Sequence, residues 1–345
     1  MVRWGRVRER LGRRGTAVMA ATAVIVLVAV IAIPFSLSDG ARRCKGVNCV
    51  TRPWPAIPSP PRPITALEAA TQGGYVALGD SYSSGEGAYA VAADRAVDNR
   101  CHRTSQAFYH LVAEAFRFAR GTAFWACSGA TTYSVLHGKS GEPPQTDQIS
   151  RDTSLITLSI GGNDAGFSHV LAGCVVKLPF SRGCQGQGPE ITQRFLALRV
   201  DLKTVLDKIV EKAPVARVIV MGYPRIFSEV SGTSLDNISI EDQQWLNGQA
   251  RELNELIRQV AGDADRRIVT AKGKGSVEFA DVYSAFAGHE IASGDPYVNG
   301  LDVDLLNLVA ESRSFHPNAS GYQHLAELID AQIKAGPGRP ILQFR

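Results

Sequence analysis

From about residue 75 to residue 335, short apolar runs alternate with longer amphipathic stretches. Tyr75–Leu78, Thr122–Cys127, Leu155–Ile160, Ala216–Met221 and Val277–Val282 are too short for helices and too apolar for surface loops. They read as strands buried on both faces. Ser105–Arg120 carries Phe108, Leu111, Val112, Ala115 and Phe116 at helical spacing, and Gln193–Lys212, Asp242–Ala261 and Ser320–Ala335 follow the same rule. Strands that alternate with long helices predict a parallel sheet with helices on both faces, a three-layer α/β/α arrangement. Gly166–Glu190, Ile226–Glu241 and Ala285–Ser314 show neither period and read as long loops, which in such domains tend to carry function or motion.

The N-terminal fifth follows a different pattern. Residues 1–15 hold six arginines against Glu9, a local charge of +5. Thr16–Ile33 is uncharged and rich in Ala, Val and Ile, near the lower limit for a membrane span and longer than the usual core of a signal peptide. Arginines ahead of the run place the N-terminus in the cytoplasm and send the rest of the chain outward. A cleaved signal sequence is the alternative, with Ser36-Leu37-Ser38 as a poor cleavage site. Pro53, Pro55, Pro58, Pro60, Pro61 and Pro63 then mark an extended, semi-rigid spacer. The expected division is a basic N-terminus (1–15), an anchor or signal sequence (16–35), a proline-rich linker (36–70), a catalytic domain (71–337) and a tail (338–345).

Composition narrows the functions. The chain has 345 residues, 45% of them hydrophobic and 20% charged, ordinary for a globular enzyme. The net charge of +4 is produced by the N-terminus, and the remainder sums to −1, which is no balance for binding nucleic acid. No Cys-x-x-Cys pair and no histidine pair at ligand spacing occurs, so no metal is expected. Gly138-Lys139-Ser140 evokes a phosphate loop, but the earlier glycine position of that motif holds Tyr133.

Four segments suggest chemistry. Gly79-Asp80-Ser81-Tyr82-Ser83-Ser84-Gly85 breaks the first strand with a glycine and sets a serine at its C-terminal end, where open α/β sheets place their ligands. Cys127-Ser128-Gly129-Ala130 follows the second strand, Ile160-Gly161-Gly162-Asn163-Asp164 follows the third, and Phe315-His316-Pro317-Asn318 precedes the last helix. In this order they offer a nucleophile, two oxyanion donors and a base. A serine hydroxyl needs a base to become a nucleophile, and Ser81 and His316 supply the pair if the fold brings them together. A glycine lets backbone approach a reacting atom, and an asparagine offers a side-chain N–H donor that Asp164 could not.

These segments resemble the four blocks of the SGNH/GDSL hydrolase family, and the chain is most similar to its actinobacterial secreted esterases and lipases. The resemblance runs from about Tyr75 to about Ile333. It implies a flavodoxin-like fold with strand order 2-1-3-4-5, Ser81 and His316 as catalytic residues, and an oxyanion hole from the N–H groups of Ser81 and Gly129 and the amide of Asn163. It needs no cofactor. Many relatives carry an aspartate three residues before the histidine, where this chain has Arg313, and arginine cannot accept a hydrogen bond from imidazole. The resemblance therefore suggests the backbone carbonyl of Arg313 as the group that orients His316, with Glu311, Asp302 and Asp304 as less favoured carboxylates. Six cysteines outside the cytosol suggest disulfides, most economically between neighbours. The resemblance supports Cys101–Cys127 and Cys174–Cys184, which leaves Cys44 and Cys49 to close a small loop.

The function expected is an exported serine ester hydrolase acting on an acyl ester of a lipid or an acylated glycan, with a monomeric catalytic domain held to the membrane by its N-terminal segment. The alternatives are an acetyl esterase or acyltransferase on cell-envelope polysaccharide and a non-catalytic envelope binding protein. Phe167, Leu171, Val175, Val176, Leu178 and Phe180, around the Cys174–Cys184 segment, are either an acyl-chain wall or an ordinary packed loop.

Overall fold

The computed structural model describes residues 62–176, 183–229, 238–304 and 309–343. Thr16–Ile33, the proline cluster as far as Pro61, Cys44, Cys49, Leu178 and Phe180 lie outside them. Among the described residues no helix is long and apolar enough to cross a membrane.

The chain enters the domain through strand β1 (Arg62–Ile64) and helix α1 (Ala66–Thr71), capped by Thr65 and Glu68. It continues through β2 (Gly74–Gly79), the short helix α2 (Ser81–Ser84), α3 (Phe108–Ala115), β3 (Thr122–Phe124) and α4 (Thr132–His137). β4 (Thr153–Ser159), α5 (Phe167–Val175), α6 (Gly188–Lys212), β5 (Arg217–Met221), α7 (Ile240–Thr270), β6 (Ser276–Ala280) and α8 (Val282–Ala285) follow. The small ribbon β7 (Val303–Asp304) and β8 (Val309–Ala310), then α9 (Ala319–Ala335) and β9 (Ile341–Gln343), complete it.

Five strands form one sheet in the order β3-β2-β4-β5-β6, all parallel. This is the α/β/α arrangement and the 2-1-3-4-5 order expected. β4 is buried along its whole length, with Leu155, Ile156 and Leu158 in the core and its small hydroxyl residues buried beside them. Helices α1, α3 and α9 pack together, as do α4, α6 and α7. Disulfides join Cys101 to Cys127 and Cys174 to Cys184. At the opposite end of β5 from the site, the buried guanidinium of Arg217 pairs with both oxygens of Glu278 and donates to the carbonyls of Ala66, Gln332 and Ile333. It ties the ends of α1 and α9 to the sheet.

Several boundaries differ from the pattern. Within the stretch expected as linker, β1 and α1 are formed, and β1 pairs antiparallel with β9 from the expected tail. α3 stops at Ala115 instead of Arg120: the N–H groups of Ala119 and Arg120 bond to Thr71 and Gly73, and Phe118 turns into the core beside Tyr75. α7 runs past Gly262 to Thr270, since Ala264 and Ile268 continue its buried stripe and outweigh the low helix propensity of one glycine. The loop expected at Gly166–Glu190 contains α5, entered through Gly166 in the left-handed conformation.

Candidate active site

Ser81 stands at the first position of α2, immediately beyond β2, and is 7% exposed. Gly79 has φ +130°, and a Cβ there would fall 2.4 Å from the Ser159 carbonyl oxygen, so only glycine fits this turn. The side chain of Gln145 holds it in place, accepting from the Gly79 N–H at 2.7 Å and donating to its carbonyl at 2.9 Å. Asp80 caps the helix by accepting from the Tyr82 N–H, and it also takes Ser159 Oγ at 2.7 Å and the Tyr223 hydroxyl. Burial pushes the Asp80 carboxyl up to about 6, although those three donors pull the other way. A buried carboxylate so saturated fixes the strand-to-helix turn.

His316 lies 235 residues further along, and its Nε2 is 2.8 Å from Ser81 Oγ. Its Nδ1 faces the Ser314 carbonyl at 3.1 Å. This corrects the expectation for Arg313, whose carbonyl accepts from the His316 backbone N–H. Phe315, between them, has φ +62°, a left-handed conformation that a bulky residue rarely takes. That twist turns the Ser314 carbonyl toward the ring, and the Tyr82 hydroxyl holds it by donating to the Phe315 carbonyl at 2.9 Å. The Arg313 side chain points away and pairs with Asp302 at 2.5 Å. With Nδ1–H given to a carbonyl, Nε2 presents its lone pair to the serine, the tautomer a general base requires. Burial lowers the His316 pKa, offset in part by Glu86 and by the carbonyls of Ser314 and Ser312.

The two remaining donors sit on neighbouring strand ends. Asn163 follows β4 and spends one amide hydrogen on the Ala130 carbonyl, at 2.9 Å, leaving the other for a ligand. Its loop is held by the Tyr223 hydroxyl, which accepts from the Gly162 N–H at 2.8 Å. Asp164, its neighbour, instead binds Thr132 at the start of α4. Gly129 lies between the disulfide-bonded Cys127 and Ala130, with φ +69°, and its N–H has no backbone acceptor among the described residues. It does not line the cavity described next, whereas Ser81, Asn163 and His316 do.

That cavity has a volume of about 440 Å³. Phe167, Leu171, Val175 and Val176 form one wall, and Ile226 and Leu253 stand among its other lining residues. Ser81 and His316 stand on its polar side with Asn163, Ser312 and Ser314. Of the apolar segment after Asn163, Phe167, Leu171, Val175 and Val176 line this cavity, and Leu178 and Phe180 lie outside the described residues.

Sequence inspection passed over Ser314, Gln145, Tyr223, Glu86 and Asn299. Asn299 exchanges backbone hydrogen bonds with Phe315 and His316 and donates its side chain to the Gly87 carbonyl at 3.2 Å, which holds the histidine loop against the serine loop. The one local signal was Gly85-Glu86-Gly87: a glutamate between two glycines, both at positive φ, marks a place where backbone crowds a functional group.

Residues 77–324 match the profile of the GDSL-like Lipase/Acylhydrolase family. Lipase 1 of Streptomyces coelicolor is 35% identical over 258 residues, 74% of this chain and 85% of that protein. Among solved structures, phospholipase A1 from Streptomyces albidoflavus superimposes with a TM-score of 0.62 at 32% identity, over 76% of this chain and 99% of that one. An extracellular lipase from Streptomyces rimosus gives 0.61 at 29% identity, over 75% and 99%.

Proposed function

Since the chain belongs to the GDSL-like lipase/acylhydrolase family and is an ester hydrolase, we propose that Ser81 is its nucleophile, His316 its general base, and a fatty acyl ester its substrate. The observation that carries this reading is the 2.8 Å approach of His316 Nε2 to Ser81 Oγ at one wall of an apolar cavity.

In this account Ser81 Oγ attacks the ester carbonyl as His316 Nε2 takes its proton. The Ser314 carbonyl keeps Nδ1–H in place and stabilises the imidazolium without becoming charged itself. The new oxyanion is met by the N–H of Ser81 at the start of α2, the N–H of Gly129 and the free amide hydrogen of Asn163, all fixed before the substrate arrives. Collapse of the tetrahedral adduct expels the alcohol, which receives the proton from His316 and leaves an acyl-Ser81 ester. Water, activated by the same Nε2, repeats the sequence and frees the acid.

The substrate class rests on the wall of Phe167, Leu171, Val175 and Val176, with Ile226 and Leu253 completing the apolar surface. An acetyl group would leave most of that surface uncovered, whereas each further methylene buried gains about 0.8 kcal/mol. This favours a lipid-like acyl group over an acetylated glycan. The catalytic domain acts outside the cytoplasm: its two disulfides suit an oxidising compartment, and the basic N-terminus followed by Thr16–Ile33 supplies the export signal or single-pass anchor.

A series of p-nitrophenyl esters tests the proposal. kcat/KM should rise from acetate through at least octanoate and vanish for every ester in Ser81→Ala. A series that falls from acetate onward would overturn the acyl-chain reading, and an active Ser81→Ala would overturn the mechanism.

A further inference from the structure

His316 has a neutral partner at Nδ1, yet a buried carboxylate is tied to the loop that carries it. Glu86 is 1% exposed, on the strap Gly85–Gly87 that leaves α2. The strap is joined to the reacting groups through short links. The Glu86 N–H donates to the Ser81 carbonyl at 3.2 Å, and the Tyr322 hydroxyl of α9 donates to the carbonyls of both Ser81 and Glu86. The next residue, Gly87, packs so closely on the histidine that a Cβ would lie 2.9 Å from His316 Cβ. The carboxylate accepts from the Tyr89 hydroxyl, and Tyr89 is also 2.9 Å from Ser312 Oγ on the loop that carries His316. His102 Nδ1 stands 2.6 Å away on its outer side.

Resting on the Ser81–His316 reading, we propose that Glu86 is a positioning residue that stabilises the protonated form of His316 by its charge, in place of the carboxylate that Arg313 displaces from this chain. A neutral carbonyl orients the imidazole but compensates little of the charge formed on it. A buried carboxylate held on the strap that packs against the histidine compensates more, because little water intervenes. Burial works against the ionised form of Glu86, but donation from Tyr89, Ser312 and Ser128 and the nearby His316 outweigh it and hold its pKa below the ordinary carboxylate value. The other titratable groups facing this pair are His102 on the loop before Cys127, Tyr322 on α9, and Tyr82 with Asp80 behind it on the strand-to-helix turn. On the histidine's own loop, Asp302 and Arg313 pair with each other at the surface.

The test is the pH profile of kcat/KM for wild type, Glu86→Gln and Ser81→Ala. The charge favours imidazolium equally in the transition state and in the protonated free enzyme. Its removal should therefore lower the high-pH plateau by about tenfold and shift the acid limb down by about one pH unit, the same factor on both axes. The two profiles should converge at low pH. A merely structural role would lower the whole profile in parallel with the limb unmoved, and that result overturns the proposal. If Glu86→Gln does not fold, Glu86→Asp serves, since it draws the charge back by one methylene and should give a smaller plateau loss with the same convergence; a parallel drop again overturns it. Activity in Ser81→Ala would overturn the underlying mechanism, whereas an inactive Ser81→Ala with parallel profiles would overturn the role of Glu86 alone.

Discussion

Replacing Gly87 by alanine should damage catalysis far more than it weakens the fold. Gly87 has φ +96°, and an added Cβ would meet His316 Cβ at 2.9 Å, the Pro317 carbonyl oxygen at 2.9 Å and Asn299 Nδ2 at 3.0 Å. The left-handed conformation alone costs an alanine about 1–2 kcal/mol. The contacts cannot be relieved by one flexible side chain, because they involve backbone and the β-carbon of the histidine itself. The loop carrying His316 must move outward by a fraction of an ångström to an ångström, which breaks the 2.8 Å approach of Nε2 to Ser81 Oγ. A misplacement of that size costs about 10²-fold in rate. Gly87 does not line the acyl cavity, so kcat should fall about 10²-fold with KM within about threefold, measured on p-nitrophenyl butyrate. Gly141→Ala is the control: φ is +85°, but no atom lies within 4 Å of the added carbon, so it carries the backbone cost without the displacement. Thermal melting should show both variants folded, with Gly87→Ala the less stable of the two by the cost of moving the loop. The reasoning is refuted if Gly87→Ala keeps kcat within about threefold of wild type, or if Gly141→Ala loses activity to the same extent.

Other expectations follow from the same geometry. Asn163→Ala should lower kcat by about 10²–10³ through loss of one fixed oxyanion donor, and Asn163→Asp should be no better, since it sets a negative charge beside a developing one; near-normal kcat in both would assign Asn163 to loop capping. Because burial depresses the His316 pKa and only the neutral imidazole can act as base, activity should fall as pH drops through a midpoint below the ordinary imidazole value of about 6.5; a midpoint near 7.5 in kcat/KM would contradict this. Arg217→Met should destabilise the domain by about 3–5 kcal/mol in urea unfolding by stranding the buried Glu278, with kcat of the folded enzyme unchanged; a loss under about 1 kcal/mol would show that the pair contributes little.

What the sequence reveals, and what it hides, has physical reasons. The five strands were legible because each holds a short apolar run, mostly buried in the sheet in all but β3, set between longer amphipathic stretches. Ser81, Asn163 and His316, which the structure brings to one cavity, stood out because glycine breaks or a distinctive functional group mark their loops. The strand pair β1 with β9 was not, since it joins segments at opposite ends of the domain and carries no local signal. The choice between the carbonyls of Arg313 and Ser314 depended on one dihedral, the left-handed φ of Phe315, which its side chain disfavours and which only the surrounding contacts impose. Tyr223 and Gln145 escaped notice because they act through the loops they hold, at Gly162 and Gly79, and lie far from them in sequence with no motif of their own.

The central claim is that Ser81 is a nucleophile activated by His316. Labelling with a fluorophosphonate, followed by peptide mass mapping, tests it most directly. The account predicts one adduct, on the peptide carrying Gly79-Asp80-Ser81, lost in Ser81→Ala and slowed by several orders of magnitude in His316→Ala. An adduct on Ser83 or Ser84, or labelling of Ser81 at an unchanged rate without His316, would contradict it.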